Sequence, residues 1–107
     1  MAESSKFEDL ALADKDVRFG FDNYDVLKQV GALVREMRQA GGLSQTNLQQ
    51  LSGIPQADIS RVESGTMERG PSLLTLVRLA HAAGKRLVIG IEDEQGEDKA
   101  STRIVAL

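Results

Sequence analysis

The side chains best suited to recognise another molecule lie in one short polar stretch, residues 44–61. Two glutamines, Gln45 and Gln56, are eleven residues apart, and Arg61 follows them. A glutamine amide donates and accepts hydrogen bonds at once, so it can pair with N6 and N7 of adenine, whereas an arginine guanidinium matches the two acceptors of guanine. These residue types indicate recognition of base edges in a DNA groove.

Two short helices separated by a tight turn are predicted to hold these side chains. Ser44 can cap the first helix. Gly53 can adopt the left-handed turn conformation, and Pro55 is tolerated only in the first turn of the helix that follows. The residues predicted to face inward are Leu48 and Leu51 in the first helix and Ile59 and Val62 in the second. Apolar anchors inside, amides and arginine outside, and a glycine-containing turn are typical of a DNA-binding helix-turn-helix.

The pattern S-Q-x-x-L, then Gly, then I-S-R-x-E-x-G runs from Ser44 to Gly65. In this pattern the chain resembles the Xre/Cro-like helix-turn-helix regulators, which have the lambda-repressor-like fold, and the resemblance covers roughly residues 26–84. It implies that Arg38 pairs with Glu63 and ties the first helix of the domain to the recognition helix. The family usually has alanine where this chain has Gln49, so we expect this glutamine either to extend into solvent or to push the two helices apart.

Particular DNA contacts follow from these positions. The residues predicted to contact phosphates are Ser44, Gln45, Thr66 and Arg69, and those predicted to contact bases or further phosphates are Gln56, Ala57, Ser60 and Arg61. Backbone N–H groups at the helix N-termini are further candidates for phosphate contacts. The resemblance implies that Gln45 holds a phosphate and braces Gln56 against a base. Asp58 could accept from a cytosine amine, orient Arg61, or stabilise the first turn of its helix.

The distribution of charge supports a nucleic-acid partner. The chain of 107 residues carries a net charge of −3, but residues 31–91 hold seven Lys or Arg and four Asp or Glu, a balance of +3. Residues 1–30 hold four and seven, and residues 92–107 hold two and five, so each end carries −3. A basic centre is expected of a nucleic-acid-binding domain.

Other classes of function find little support in the sequence. With no cysteine and one histidine, His81, the chain offers no disulfide framework, thiol nucleophile or zinc finger. Gly84 and Lys85 superficially resemble a phosphate-binding loop, but Leu79 stands where the earlier glycine should be and Arg86 replaces the Ser or Thr. An enzyme, a cofactor or a metal site is therefore not expected. Because no signal peptide or apolar run of about 20 residues is present, a cytoplasmic location is expected.

The chain divides into three predicted segments. These are an acidic, aromatic arm at 1–24, a helix-turn-helix domain at 25–84, and a β segment at 85–107. Helices over Asp25–Ala40 and from Leu73 to about Ala83 complete the domain. The apolar stripe of the first of these comprises Val26, Val30, Leu33 and Met37, widened by Leu27 and Val34. The predicted inner face of the second comprises Leu73, Leu76, Leu79 with Ala80, and Ala83. The predicted fold is mainly α, a lambda-repressor-like helical bundle.

All the aromatic residues of the chain precede residue 25 and so lie in the N-terminal arm. A helix is expected over about Ser5–Ala13. The arm could cover part of the core, or it could bind a partner through the apolar anchors Phe7, Leu10, Phe19 and Phe21, with the surrounding acidic residues meeting basic ones.

The C-terminal segment has two β-branched runs, residues 85–92 and 102–107, separated by an acidic loop. One hairpin is only marginally stable alone, so a second subunit is the simplest source of a covering surface. The predicted dimerisation residues are Leu87, Val88, Ile89, Ile91, Ile104 and Val105. The alternative is a single strand that covers the core.

The overall layout resembles the HigA-type antitoxins, which repress their own operon and neutralise a small ribonuclease toxin. This resemblance implies three partners: double-stranded operator DNA, a second copy of the chain, and a small basic toxin, with no membrane. The first alternative is a stand-alone dimeric Xre-family regulator without a toxin. A further alternative is a protein-interaction adaptor that has lost DNA binding.

Overall fold

The computed structural model describes residues 23–94 and 103–107. Within these ranges the chain forms four helices, α1 (Tyr24–Ala40), α2 (Gln45–Ser52), α3 (Gln56–Ser64) and α4 (Leu73–Ala82). Strands β1 (Val88–Ile91) and β2 (Arg103–Ala106) follow and form one antiparallel pair. This architecture confirms the mainly helical fold class with a C-terminal hairpin. The expected arm helix and the anchors Phe7, Leu10, Phe19 and Phe21 lie outside the described residues.

Local signals define the ends of α2. The Ser44 hydroxyl oxygen accepts the backbone N–H of Asn47 at 2.9 Å, and the Asn47 side chain accepts the backbone N–H of Ser44 at 3.0 Å. This reciprocal capping box satisfies two N–H groups at the start of the helix and confirms the predicted cap. Gly53 ends the helix at φ +77°, the left-handed region that glycine adopts without steric cost.

The core lies where α1, α2, α3 and α4 meet. Its buried members are Val34, Leu48, Ile54, Ile59, Val62 and Leu79. Ile59, Leu48 and Leu79 have no solvent exposure at all. The core is aliphatic, as a chain with only 4% aromatic residues requires.

The inward face of α1 agrees in part with its predicted apolar stripe, because Val34 is buried and Leu27, Val30 and Met37 are half-buried. Val26 and Leu33 are 52% and 61% exposed, while Gly31 and Val34 are the buried residues of the helix. The reason is the contact with α3, which requires a residue without a side chain. A Cβ on Gly31 would lie 2.5 Å from the carbonyl oxygen of Glu63 and closer still to that of Val62. The face is therefore chosen by close backbone approach and not by maximal hydrophobicity.

Two further leucines are also less buried than predicted. Leu51 is 60% exposed and Leu73 is 49% exposed. In the eight-residue helix α2, only Leu48 and Ser52 are buried. These two positions are four residues apart and so lie one above the other on a helix face, which leaves Leu51 at the edge of the contact.

The hairpin is a regular two-stranded ladder. Val88 pairs with Ala106, and Ile91 pairs with Arg103. The Leu107 N–H donates to the Leu87 carbonyl oxygen at 2.7 Å, which extends the ladder by one bond. His81 Nε2 lies 2.9 Å from the Leu107 carbonyl oxygen, so this lone histidine links α4 to the end of the hairpin.

No helix within the described part of the chain has the length and apolar character needed to cross a membrane.

Replacing Gly31 with Ala tests the close contact between α1 and α3. Alanine is favoured over glycine inside a helix by about 1 kcal/mol, so helix propensity alone would stabilise the variant. We expect the opposite, a loss of about 1–3 kcal/mol in the free energy of unfolding, because the added methyl group meets backbone atoms that no rotamer change can move. Urea denaturation followed by circular dichroism measures the change.

The matched control is Gly41→Ala at the C-terminal end of the same helix. A Cβ there would meet no atom closer than 3.6 Å. If Gly31→Ala were as stable as this control, the close approach of the two helices would not constrain the fold.

Candidate nucleic-acid interface

Helix α3 presents one polar face to solvent. Gln56, Ala57, Ser60 and Arg61 are exposed, whereas Ile59 and Val62 on the opposite side are buried. These exposed positions recur at spacings of three and four residues, which places them along one helix face. The structure thus brings together four of the predicted base-contacting side chains on one accessible surface.

The N-terminus of α3 is satisfied by a neighbouring helix. Pro55 occupies the N-cap position and makes no side-chain cap hydrogen bond. The Gln49 side-chain oxygen accepts the backbone N–H of Gln56 in its place. Gln49 is exposed, so its side chain extends into solvent, which was one of the two expected arrangements. Its amide oxygen also supplies the cap that Pro55 cannot provide. Sequence reasoning identified the position as unusual but did not anticipate this cap.

The two glutamines of the motif are in contact. Gln56 Nε2 donates to Gln45 Oε1 at 3.3 Å, and Gln45 Nε2 donates to Glu63 Oε1 at 3.3 Å. Gln45 is half-buried at the start of α2, while Gln56 is exposed at the start of α3. The amide of Gln56 is therefore connected to a carboxylate in the interior.

That carboxylate belongs to Glu63, whose side chain has no solvent exposure. Arg38 donates to it twice, from Nε to Oε2 at 2.7 Å and from Nη2 to Oε1 at 2.9 Å. Arg35 Nε approaches Oε1 at 3.4 Å, and Arg38 Nη1 also donates to the Leu43 carbonyl oxygen at 2.8 Å. Two parallel hydrogen bonds between a guanidinium and a carboxylate give a strongly directional ion pair.

The electrostatics of Glu63 reflect two opposing effects. Burial raises the pKa of its carboxyl group. Hydrogen bonds from Arg38 and Gln45, together with the positive charge of Arg38, lower that pKa by a larger amount, so it lies below the ordinary value. The hydrogen bond with Glu63 also raises the pKa of the Arg38 guanidinium. Both groups are therefore charged at neutral pH.

Asp58 forms an ion pair with Arg61 one turn further along α3. Three roles were considered for this carboxylate, and the contact observed in the structure is the one with Arg61. Its negative charge is compensated locally, although it faces the same side as the groups expected to meet DNA.

The predicted phosphate-contacting residues lie on both sides of α3. Ser44 caps α2 and is exposed, and its hydroxyl hydrogen remains able to donate. Thr66 and Arg69 are exposed in the segment after α3, where the Thr66 hydroxyl lies 2.7 Å from the Ser64 hydroxyl.

Lys28 makes a contact with α3 that was not predicted from the sequence. Its Nζ donates to the Ser64 carbonyl oxygen at 2.7 Å, at the C-terminal end of α3. The same ammonium lies 5.3 Å from the centre of the Tyr24 ring. A lysine there complements the helix dipole and fixes the far end of α3 on α1. Its distance of 36 residues from Ser64 leaves no local signal in the sequence.

In the described ranges, no cluster of three or more His, Asp or Glu side chains is arranged to hold a metal ion.

Removing the charge of Arg38 tests how strongly the buried pair supports α3. We expect Arg38→Met to lower the free energy of unfolding by about 3–5 kcal/mol, because Glu63 would keep a buried charge without its main partner. Arg35→Met removes a guanidinium that is half-exposed and 3.4 Å from the same carboxylate, so it should cost less than about 1 kcal/mol. Equal losses in urea denaturation would contradict a dominant role for Arg38.

Comparison with known proteins gives consistent results. A family model described as a helix-turn-helix matches residues 34–89. Over 61 residues the chain is 43% identical to a Haemophilus influenzae protein named an uncharacterized HTH-type transcriptional regulator, a match that covers 54% of this chain. The match spans only 60% of that regulator's length.

A solved structure is also similar. The crystal structure of the restriction-modification controller protein C.AhdI from Aeromonas hydrophila aligns with a TM-score of 0.54 and 39% sequence identity. The alignment covers 58% of this chain and 91% of that one. The two proteins therefore have similar folds over the aligned part.

Proposed function

The chain belongs to the helix-turn-helix family of transcriptional regulators, and we propose that it represses transcription by binding a specific double-stranded operator as a homodimer. The observation that carries this proposal is the exposed polar face of α3, together with the buried ion pair of Arg38 and Glu63 that attaches α3 to α1. A helix whose outer face is polar and whose inner face is locked to the domain can enter the major groove as a rigid body.

Base recognition is assigned to four residues. Gln56 is suited to adenine, Ala57 to a thymine methyl group, and Arg61 to guanine, while Ser60 can reach either a base or a phosphate. The ion pair with Asp58 limits the rotamers of Arg61 before binding, which reduces the entropy lost when its guanidinium meets a base.

Phosphate contacts are assigned to residues around α3. They are Ser44, Gln45, Thr66 and Arg69, together with backbone N–H groups at the starts of α2 and α3. The balance of +3 over residues 31–91 supports this assignment, because phosphate neutralisation provides most sequence-independent affinity for DNA.

Dimerisation is assigned to the hairpin. Its apolar residues are exposed: Val88 56%, Ile89 37%, Ile91 76%, Ile104 68% and Val105 55%. Leu87, also among the predicted contacts, is half-buried. Alternate strand residues face opposite sides of the ladder, so apolar surface is present on both faces. A second copy would cover it and supply the two-fold symmetry that paired half-sites require.

The proposed function predicts a sequence-specific effect of Arg61→Ala. The wild-type protein should bind DNA from upstream of its own gene, and the variant should lose about 1–3 kcal/mol at the cognate site if Arg61 reads a base. Fluorescence anisotropy on the cognate duplex and on a scrambled duplex measures both affinities. Lys85→Ala, which removes an exposed positive charge outside the helix-turn-helix, is the control. Equal losses on both duplexes would assign Arg61 to a phosphate instead.

If two copies associate through the hairpin, formation of the dimer should depend on the apolar residues of the hairpin. We expect Ile91→Lys combined with Ile104→Lys to give a folded monomer in analytical ultracentrifugation, because the two residues lie on opposite faces of the ladder and a charge would then meet an interface formed on either face. Leu33→Lys alters an equally exposed apolar residue on α1 and should leave the dimer intact. Loss of the dimer in the control alone would place the interface on α1.

An antitoxin role is the second candidate, favoured by one observation on the sequence. All four aromatic residues precede residue 25, within a segment of net charge −3 over residues 1–30. Such a segment suits a small basic toxin as partner. A chain lacking residues 2–22 should then lose a stoichiometric basic partner in pull-downs from the native host yet keep operator binding. If the full-length protein captures no such partner, it functions as a stand-alone regulator.

A further inference from the structure

A chain of three polar side chains runs from the interior of the domain to the surface of α3. Glu63 Oε1 accepts from Gln45 Nε2, and Gln45 Oε1 accepts from Gln56 Nε2, each at 3.3 Å. The inner end is fully buried and the outer end is exposed. The chain therefore connects a fixed internal charge to a side chain that can reach a base.

The direction of these hydrogen bonds follows from the chemistry of the carboxylate. An ionised carboxylate only accepts hydrogen bonds, so the Gln45 amide must present its NH2 group to Glu63. Its carbonyl oxygen then points toward Gln56. That oxygen in turn requires a donor, so Gln56 must present its own NH2 group. The two ends of a glutamine amide are ordinarily interchangeable in space, but here each is decided by the buried charge.

The outcome at the surface is a defined pattern of donor and acceptor. With one N–H directed at Gln45, the Gln56 amide retains its carbonyl oxygen and its second N–H for a base edge. One acceptor beside one donor is the complement of N6 and N7 of adenine in the major groove. The backbone N–H of the same residue is held by Gln49, which fixes the origin of the side chain.

We propose that Glu63 is a specificity-determining positioning residue, which acts through Gln45 to orient the amide of Gln56 for adenine. This inference rests on the proposed DNA-binding function. Glu63 touches no base itself. Its role is distinct from its pairing with Arg38, which holds the helices together through both carboxylate oxygens.

The two roles of Glu63 are separable because Gln45 takes part in only one of them. Gln45→Met has a similar length and removes the amide, while Arg38 and Glu63 remain paired. Thermal denaturation of this variant confirms that the domain is folded under the binding conditions. Thr66→Val is the matched control, since it removes a different predicted phosphate contact outside the chain of amides.

The experiment measures affinities for a panel of duplexes that each change one base pair of the operator. The base pair read by Gln56 is the one at which discrimination disappears in Gln56→Ala. Wild-type discrimination there should be about 5- to 150-fold. We expect Gln45→Met to lose most of this discrimination, and the double variant with Gln56→Ala to lose no more than Gln56→Ala alone. Thr66→Val should weaken binding to every duplex by the same factor.

Glu63→Gln is the second variant. An amide at this position can donate as well as accept, so it no longer determines the direction of the hydrogen bonds through Gln45 and Gln56. Among molecules that remain folded, discrimination at the same base pair should fall, while the slope of affinity against salt concentration stays that of the wild type, because phosphate contacts are unchanged.

The outcomes separate this inference from the function it rests on. If Gln45→Met weakens binding to all duplexes equally and keeps its discrimination, Gln45 is a phosphate contact only and the positioning role of Glu63 is wrong. If the wild-type protein binds all duplexes alike or not at all, the proposed operator binding itself is wrong.

Discussion

The structure depends on a buried negative charge that must be satisfied. Glu63 lies in the interior at the C-terminal half of α3, where an unpaired carboxylate would cost several kcal/mol. Its hydrogen bonds come from α1 through Arg38 and from the start of α2 through Gln45. One side chain thus sets the relative positions of three helices. A buried ion pair contributes less to net stability than the removal of one partner would cost, because removal leaves an uncompensated buried charge.

A steric constraint acts on the same contact. The backbone of α1 reaches that of α3 at Gly31, where no side chain fits. The close approach brings Arg38, two turns further along α1, within reach of Glu63. Lys28, about one turn before Gly31, donates to the carbonyl oxygen of Ser64, the last residue of α3. Electrostatic pairing and backbone packing therefore support one another, and α3 is held at both ends as well as along its inner face. A rigid α3 is what the proposed groove recognition needs.

The surface is organised by the division of charge and apolar area. The central residues 31–91 have a positive balance, and the one carboxylate on the outer face of α3, that of Asp58, is neutralised by Arg61. The hairpin instead exposes apolar side chains on a two-stranded ladder that cannot bury them itself. His81 and Leu107 join this ladder to α4, so a partner bound to the hairpin would be coupled mechanically to the helical domain.

Features that arise within a few residues could be predicted from the amino-acid sequence. The caps at Ser44 and Gly53, the turn before Pro55 and the two β-branched runs follow from local backbone chemistry, and they were sufficient to predict the helix-turn-helix and the hairpin. The expectation that Arg38 meets Glu63 came from resemblance to a family, and the structure places the two side chains in contact. Contacts between helices explain three features that local patterns did not predict: which members of the apolar stripe of α1 are buried, the cap that Gln49 provides for α3, and the link through Gln45 from Glu63 to Gln56. These contacts join residues 7 to 18 positions apart, or depend on one glycine at a helix crossing. Hydrophobic periodicity ranks the faces of an isolated helix, but the angle and distance between two helices determine which face is used.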